Sequence, residues 1–152
     1  MDHVDEEQIS EQVLDDLHYT VVSNISRNMV MPETQWEQRP SNNDNVSYYY
    51  CKDSTLMKFA SPIIPEYYKI IILRIESKSS RAKINLFQTG DLVPLSLDPG
   101  CSISDGEKSY PLEYGKKVHL SQRQLSLQIN PNSALYLLWL FRTKEDFIGK
   151  QS

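Results

Sequence analysis

Cysteine, histidine and glycine are scarce in this chain, and each scarcity removes a class of function. Cys51 and Cys101 make no CxxC pair, so the sequence carries neither a disulfide framework nor a thiolate metal cluster. Both thiols read as small buried hydrophobes. His3, His18 and His119 are too few and too scattered to bring several imidazoles onto one metal ion. No Gly-rich phosphate loop, nucleophile–base pair or perturbed carboxylate pair is visible, so the sequence predicts no enzyme and no cofactor. No run of about 18 apolar residues occurs, and the N-terminus is acidic. Neither a membrane span nor a secretory signal is expected, and the chain reads as soluble and intracellular. Without a signal, Asn24-Ile-Ser26 and Asn45-Val-Ser47 read as chance matches to the glycosylation pattern. The bases are scattered, with no Lys/Arg run alternating with aromatics, which argues against nucleic-acid binding by this chain.

What is present suffices for one buried core. At 152 residues and 39% apolar, a single domain hides roughly 70% of its unfolded surface. Charge is uneven: residues 1–17 hold seven of the twenty acids and no Lys or Arg, leaving thirteen acids against sixteen bases in a mildly basic body. The acidic head is either a solvated face or an arm that docks on a basic surface. Ile9, Val13 and Leu17, with Leu14 beside them, recur at helical spacing and predict a helix over 5–18. Residues 23–45, with Pro32 and Pro40 among Asn and Ser, predict a loop or draped arm. Trp36 would pin that arm or belong to an interface.

From residue 46 the signals are short strands between breakers. Ten are predicted: 46–51, 55–60, 67–76, 81–88, 92–97, 101–104, 108–112, 117–120, 125–130 and 134–143. Their spacing indicates an all-β jelly-roll barrel or sandwich with an N-terminal helix and arm. The divisions follow: helix and arm at 1–45, β domain at 46–145, tail at 146–152. Leu125, Leu127 and Ile129 alternate with polar residues, as a half-exposed strand does. "ALYLLWLFR" at 134–142 is instead apolar on both faces, and "YKIIILRI" at 68–75 is nearly so. A sandwich has one interior, so these strands need a second cover. A second copy of the chain is the expected cover, and residues 1–45 are the alternative.

Residues 109–130, "SYPLEYGKKVHLSQRQLSLQIN", resemble the second metal-binding motif of cupin barrels emptied of its ligands. Counted from Gly115, the frame falls on Ser121, Gln122, Arg123, Ser126 and Asn130; Gly115 and Asn130 match, while the motif's Pro, Gly and His are absent. "INLFQTGDLVPLS", where the first motif would lie, contains no His or Glu, and the parity of His119 turns it outward. The stretch from Glu107 to Phe141 resembles the C-terminal cupin of the centromere protein C (CENP-C) family. The resemblance runs through Glu107, Ser109 and Tyr110, the turn at Gly115, the alternating Leu127, Ile129 and Asn130, and the closing strand Leu135–Phe141. Weaker similarity reaches back to residue 45.

That resemblance implies a non-catalytic homodimerisation and docking module of a nuclear, inner-kinetochore protein. It implies another copy of the chain as one partner and a centromere-loading factor as a second. Pairing two weak binding tails would multiply avidity. Leu92, Tyr136, Leu138 and Leu140 are the expected dimer residues, being the apolar side chains left once one core face is filled. Phe59, Met57 and Trp36 are the expected partner-binding residues. A cytosolic β-sandwich adaptor and a metal-free small-ligand-binding cupin are the competing readings.

Overall fold

The computed structural model describes residues 9–29, 35–40, 46–78, 82–86, 89–96, 101–104, 109–120, 125–129 and 134–148. Among the described residues, eleven strands form two antiparallel sheets. In chain order they are β1 (Ile9–Val13), β2 (Trp36–Arg39), β3 (Val46–Cys51), β4 (Lys69–Ser77), β5 (Ala82–Leu86) and β6 (Gly90–Pro94), followed by β7 (Cys101–Ser104), β8 (Ser109–Pro111), β9 (Lys116–Leu120), β10 (Leu125–Ile129) and β11 (Ala134–Phe141). The helices are α1 (Asp16–Arg27), α2 (Ser54–Lys58) and α3 (Lys144–Ile148), with a 3-10 helix at Ser61–Glu66. The large sheet runs β1-β9-β6-β11-β4-β3-β2, and the small one β5-β10-β7-β8. Partners far apart in sequence, such as β10 with β5 and β11 with β4, wind the chain into a jelly roll.

Nine of the ten predicted strands exist in this structure. The exception is 55–60, where the side chain of Asp53 accepts the backbone N–H groups of Thr55 and Leu56 and starts α2. A local capping bond there outcompetes the strand propensity of the residues that follow. The N-terminal helix is also displaced. Asp15 caps α1 by accepting the His18 N–H at 2.8 Å, and His18, Val21, Val22 and Ile25 form its buried stripe. Ile9–Val13 is instead a strand on β9, and Val13 and Leu17 of the expected stripe are 75% and 46% exposed. The arm is ordered in part as well, since β2 pairs with β3 at the far edge of the same sheet. The described part of residues 1–45 is thus built into the β domain. Residues 121–123 and 130 of the cupin frame, and 149–152 of the expected tail, lie outside the described residues.

Two apolar layers explain the strands that are apolar on both faces. Between the sheets lie Ile71, Leu73 and Ile75 of β4, Leu135, Leu137, Trp139 and Phe141 of β11, and Leu92, Val118 and Leu120, packed against Ile103 and Leu127 of the small sheet. On the outer face of the large sheet, Ile70, Ile72, Val93, Leu138 and Leu140 meet Val21, Val22 and Ile25 of α1, Leu56 of α2, and Ile63. The chain covers its own second face. The expected cover by a second copy is therefore supplied from residues 14–25 and 56–63 of the same chain.

Candidate functional site

The residues expected at a dimer interface are buried within the protomer. Leu92, Leu138 and Leu140 have no exposed surface, and Tyr136 is half-buried with its ring 5.7 Å from that of Trp36. Leu92 also faces the opposite way to Leu138 and Leu140, into the barrel interior, while its neighbours Val93 and Leu95 lie under α1. Among the expected partner-binding residues, Trp36 is buried, and Met57 and Phe59 are half-buried against the outer layer. Trp36 acts within the chain: the Arg74 guanidinium stacks 5.1 Å from its ring and 4.0 Å from that of Tyr49. Leu92, Leu138, Leu140 and Trp36 pack inside the chain, whereas Tyr136, Met57 and Phe59 keep part of their surface in solvent.

A site that sequence reasoning missed lies on the outer face, at the β1–β9–β6 side. Register places Ser10 of β1, His119 of β9, Asp91 of β6 and Leu140 of β11 in one row across four strands. Paired residues of antiparallel strands share a face. Asp91 has no exposed surface, and three side-chain nitrogens approach its carboxylate: His119 Nδ1 at 2.7 Å from Oδ1, and Arg142 Nε and a terminal Arg142 nitrogen at 3.3 and 3.2 Å from Oδ2. A buried carboxylate persists only when paired this way. His119 and Arg142 are 32% and 46% exposed.

The arrangement fixes the imidazole. Facing a carboxylate oxygen, Nδ1 of His119 is the ring nitrogen that donates, which leaves Nε2 as the nitrogen not engaged by Asp91. Among the described residues Nε2 has no hydrogen-bond partner. On the side of β9 away from Asp91, the cross-strand neighbour of His119 is Ser10 of β1. Behind Asp91, Gly90 has φ +139°, and a Cβ there would stand 2.6 Å from the Leu140 carbonyl oxygen. Only glycine lets β6 approach β11 closely enough to set Asp91 in this position. The hydroxyl of Thr89, one residue earlier, donates to Asp146 of α3.

A second polar group adjoins the first beneath α1. His18 is 5% exposed, with Nδ1 2.8 Å from Asp15 Oδ1 and Nε2 3.4 Å from the Tyr67 hydroxyl and 3.5 Å from Glu66. Burial, then the Asp91 and Glu66 carboxylates, push the Tyr67 hydroxyl up to about 12, so it stays a proton donor. The cap bond from the His18 N–H, followed by the His18 side chain, holds Asp15 below the ordinary carboxylate range. The thiols lie apart from this region. Burial pushes Cys101 up to about 12 and raises Cys51, so both resist forming thiolates.

No family model matches the sequence, and no curated protein matches it. Solved structures match by shape. A Trichoplax adhaerens prolyl hydroxylase, in complex with a hypoxia inducible factor oxygen degradation domain peptide fragment, aligns with TM-score 0.55. It is 12% identical over 95% of this chain and 88% of its own. The fold is a cupin-type jelly roll. A Pseudomonas putida prolyl-4-hydroxylase is 11% identical over 90% of this chain and 93% of its own, with TM-score 0.49. The non-heme α-ketoglutarate-dependent epimerase SnoN, also 11% identical, covers 88% and 78% with TM-score 0.47.

The Trichoplax match, at TM-score 0.55, corrects the expectation that the chain is no enzyme. The fold it shares over nearly its whole length is one that enzymes use, and the sequence's lack of a familiar motif does not argue otherwise. The likeness is one of fold, and nothing in it is particular to the centromere protein C family. The described residues of the barrel do not supply a set of metal ligands. Among the described residues the inward side chains are the apolar set of the inner layer, and no three His, Cys, Asp or Glu stand close enough to hold an ion.

Proposed function

We propose that the protein is a general acid–base catalyst whose active site is the outer-face polar row around His119. The observation that carries this reading is the 2.7 Å bond from His119 Nδ1 to the fully buried Asp91. It orients the imidazole, sets its tautomer and leaves Nε2 free to take a proton. Asp91 is the orienting carboxylate. Arg142 anchors Asp91 and, being half outside the protein, offers positive charge to an anionic portion of a substrate. Hydrolysis of an activated carbonyl is the reaction class this set serves most directly, with Nε2 drawing the proton from the attacking oxygen.

The test is turnover of p-nitrophenyl esters by the full chain and by His119→Ala and His119→Gln, each checked by thermal melt. A general base of this kind contributes about 100- to 10,000-fold. Loss of turnover in folded His119 variants supports the reading. Turnover indistinguishable from buffer in the parent protein, or equal in parent and variants, overturns it.

A further inference from the structure

The cross-strand row contains one more group of the right chemistry. We infer that Ser10 is a covalent nucleophile, so that Ser10, His119 and Asp91 act as a catalytic triad on acyl esters, assembled from three neighbouring strands of the large sheet. This rests on the reading of His119 as a base. Ser10 pairs directly with His119, and His119 pairs directly with Asp91, so all three side chains emerge from one face in one line. Directly opposed residues bring their Cβ atoms to about 5 Å, within reach of a serine hydroxyl and an imidazole edge. Apo structures commonly leave such a pair loose until substrate arrives. Ser10 is half-buried and forms no side-chain hydrogen bond among the described residues.

Two features of β1 suit it to carry a nucleophile. Among the described residues it pairs only with β9, so it is the edge of the sheet and alternate backbone N–H groups point away from the ladder. Such groups beside Ser10 are donors for a developing oxyanion. The strand is also tied at its middle and just beyond its C-terminal end. Lys116 Nζ lies 3.1 Å from Glu11 Oε1, and the Leu14 N–H donates to the Gly115 carbonyl at 3.0 Å.

The reaction balances within these residues and water. The Ser10 oxygen bonds to the acyl carbon while its proton passes to His119 Nε2. The ester C–O bond then breaks, and the alkoxide leaves as the alcohol with that proton. Water next attacks the acyl-serine, gives one proton to Nε2, and releases the carboxylic acid as the Ser10 oxygen recovers the proton.

The experiment is to treat the full chain with a fluorophosphonate probe and map the adduct by mass spectrometry, alongside p-nitrophenyl acetate turnover. In the labelling step the Ser10 oxygen bonds to phosphorus and fluoride leaves, its proton passing through Nε2. The expected result is a single adduct on Ser10, absent in Ser10→Ala and formed at least 100-fold more slowly in His119→Ala. No adduct, or an adduct elsewhere, overturns the inference. Turnover that survives in Ser10→Ala but is lost in His119→Ala means that His119 activates water directly; the triad then fails while the base stands. Turnover unaffected by either variant overturns both.

Discussion

Asp91 is the residue on which the candidate site depends, and its position is set by the residue before it. Gly90 at φ +139° lets β6 approach the Leu140 carbonyl, which a side chain at that position would block. Gly90→Ala combines a strained backbone, costing about 1–3 kcal/mol, with a clash against main chain that has to shift. A lower melting temperature is expected, and the loss of turnover should exceed the loss of stability at 25 °C because the Asp91–His119 geometry moves with β6. A variant that melts and turns over like the parent would show that this close approach is not required. The sequence held one signal for the site, a single charged residue inside "GDLVPL", a strand otherwise apolar. It gave no partner, because His119 and Arg142 lie 28 and 51 residues away.

At the scale of elements, the start of α1 decides how the N-terminal segment divides. Asp15 ends the approach from β1 and begins the helix in one step, since its carboxylate accepts the His18 N–H and also meets the His18 ring. Asp15→Ala should cost about 1 kcal/mol of stability. The pH dependence has a definite sign. The folded pKa of Asp15 lies below its ordinary value of 3.8, so its stabilisation is complete above that value and is lost as pH falls through the lower folded one. Asp15→Asn keeps a capping oxygen but cannot titrate. Urea unfolding from pH 7 down to pH 3 should therefore show Asp15→Asn close to the parent at neutral pH and less sensitive to acid. Equal acid sensitivity in the two proteins would remove Asp15 as a contributor.

For the whole molecule, the central fact is that one sheet is covered on both sides by its own chain. The inner layer meets the small sheet, and the outer layer meets α1, α2 and the 3-10 helix. A charge introduced at Leu138, which has no exposed surface, is therefore a charge placed in a core. An unpaired buried carboxylate costs several kcal/mol against a total stability of about 5–15 kcal/mol. Leu138→Glu should unfold the protein, as seen by circular dichroism, rather than release folded 17.6 kDa monomers from a dimer in light scattering. A folded variant of halved mass would restore the interface expected from sequence. Leu92→Glu should behave in the same way from the inner layer.

The sequence by itself determined the all-β architecture, most strand positions and the need for a second cover, because alternation and breakers are local signals carried by neighbouring residues. It also assigned His119 to the outward parity of β9. Only the tertiary structure decided what the cover is, since α1 reaches the sheet through contacts such as Ser26 Oγ donating to the Leu95 carbonyl, 69 residues away. The polar row is likewise tertiary: Ser10, His119 and Asp91 come together through the pairing of three strands distant in the chain, and no periodicity encodes which strands will be neighbours. Local sequence fixes which face a side chain takes, and long-range pairing fixes what it meets there.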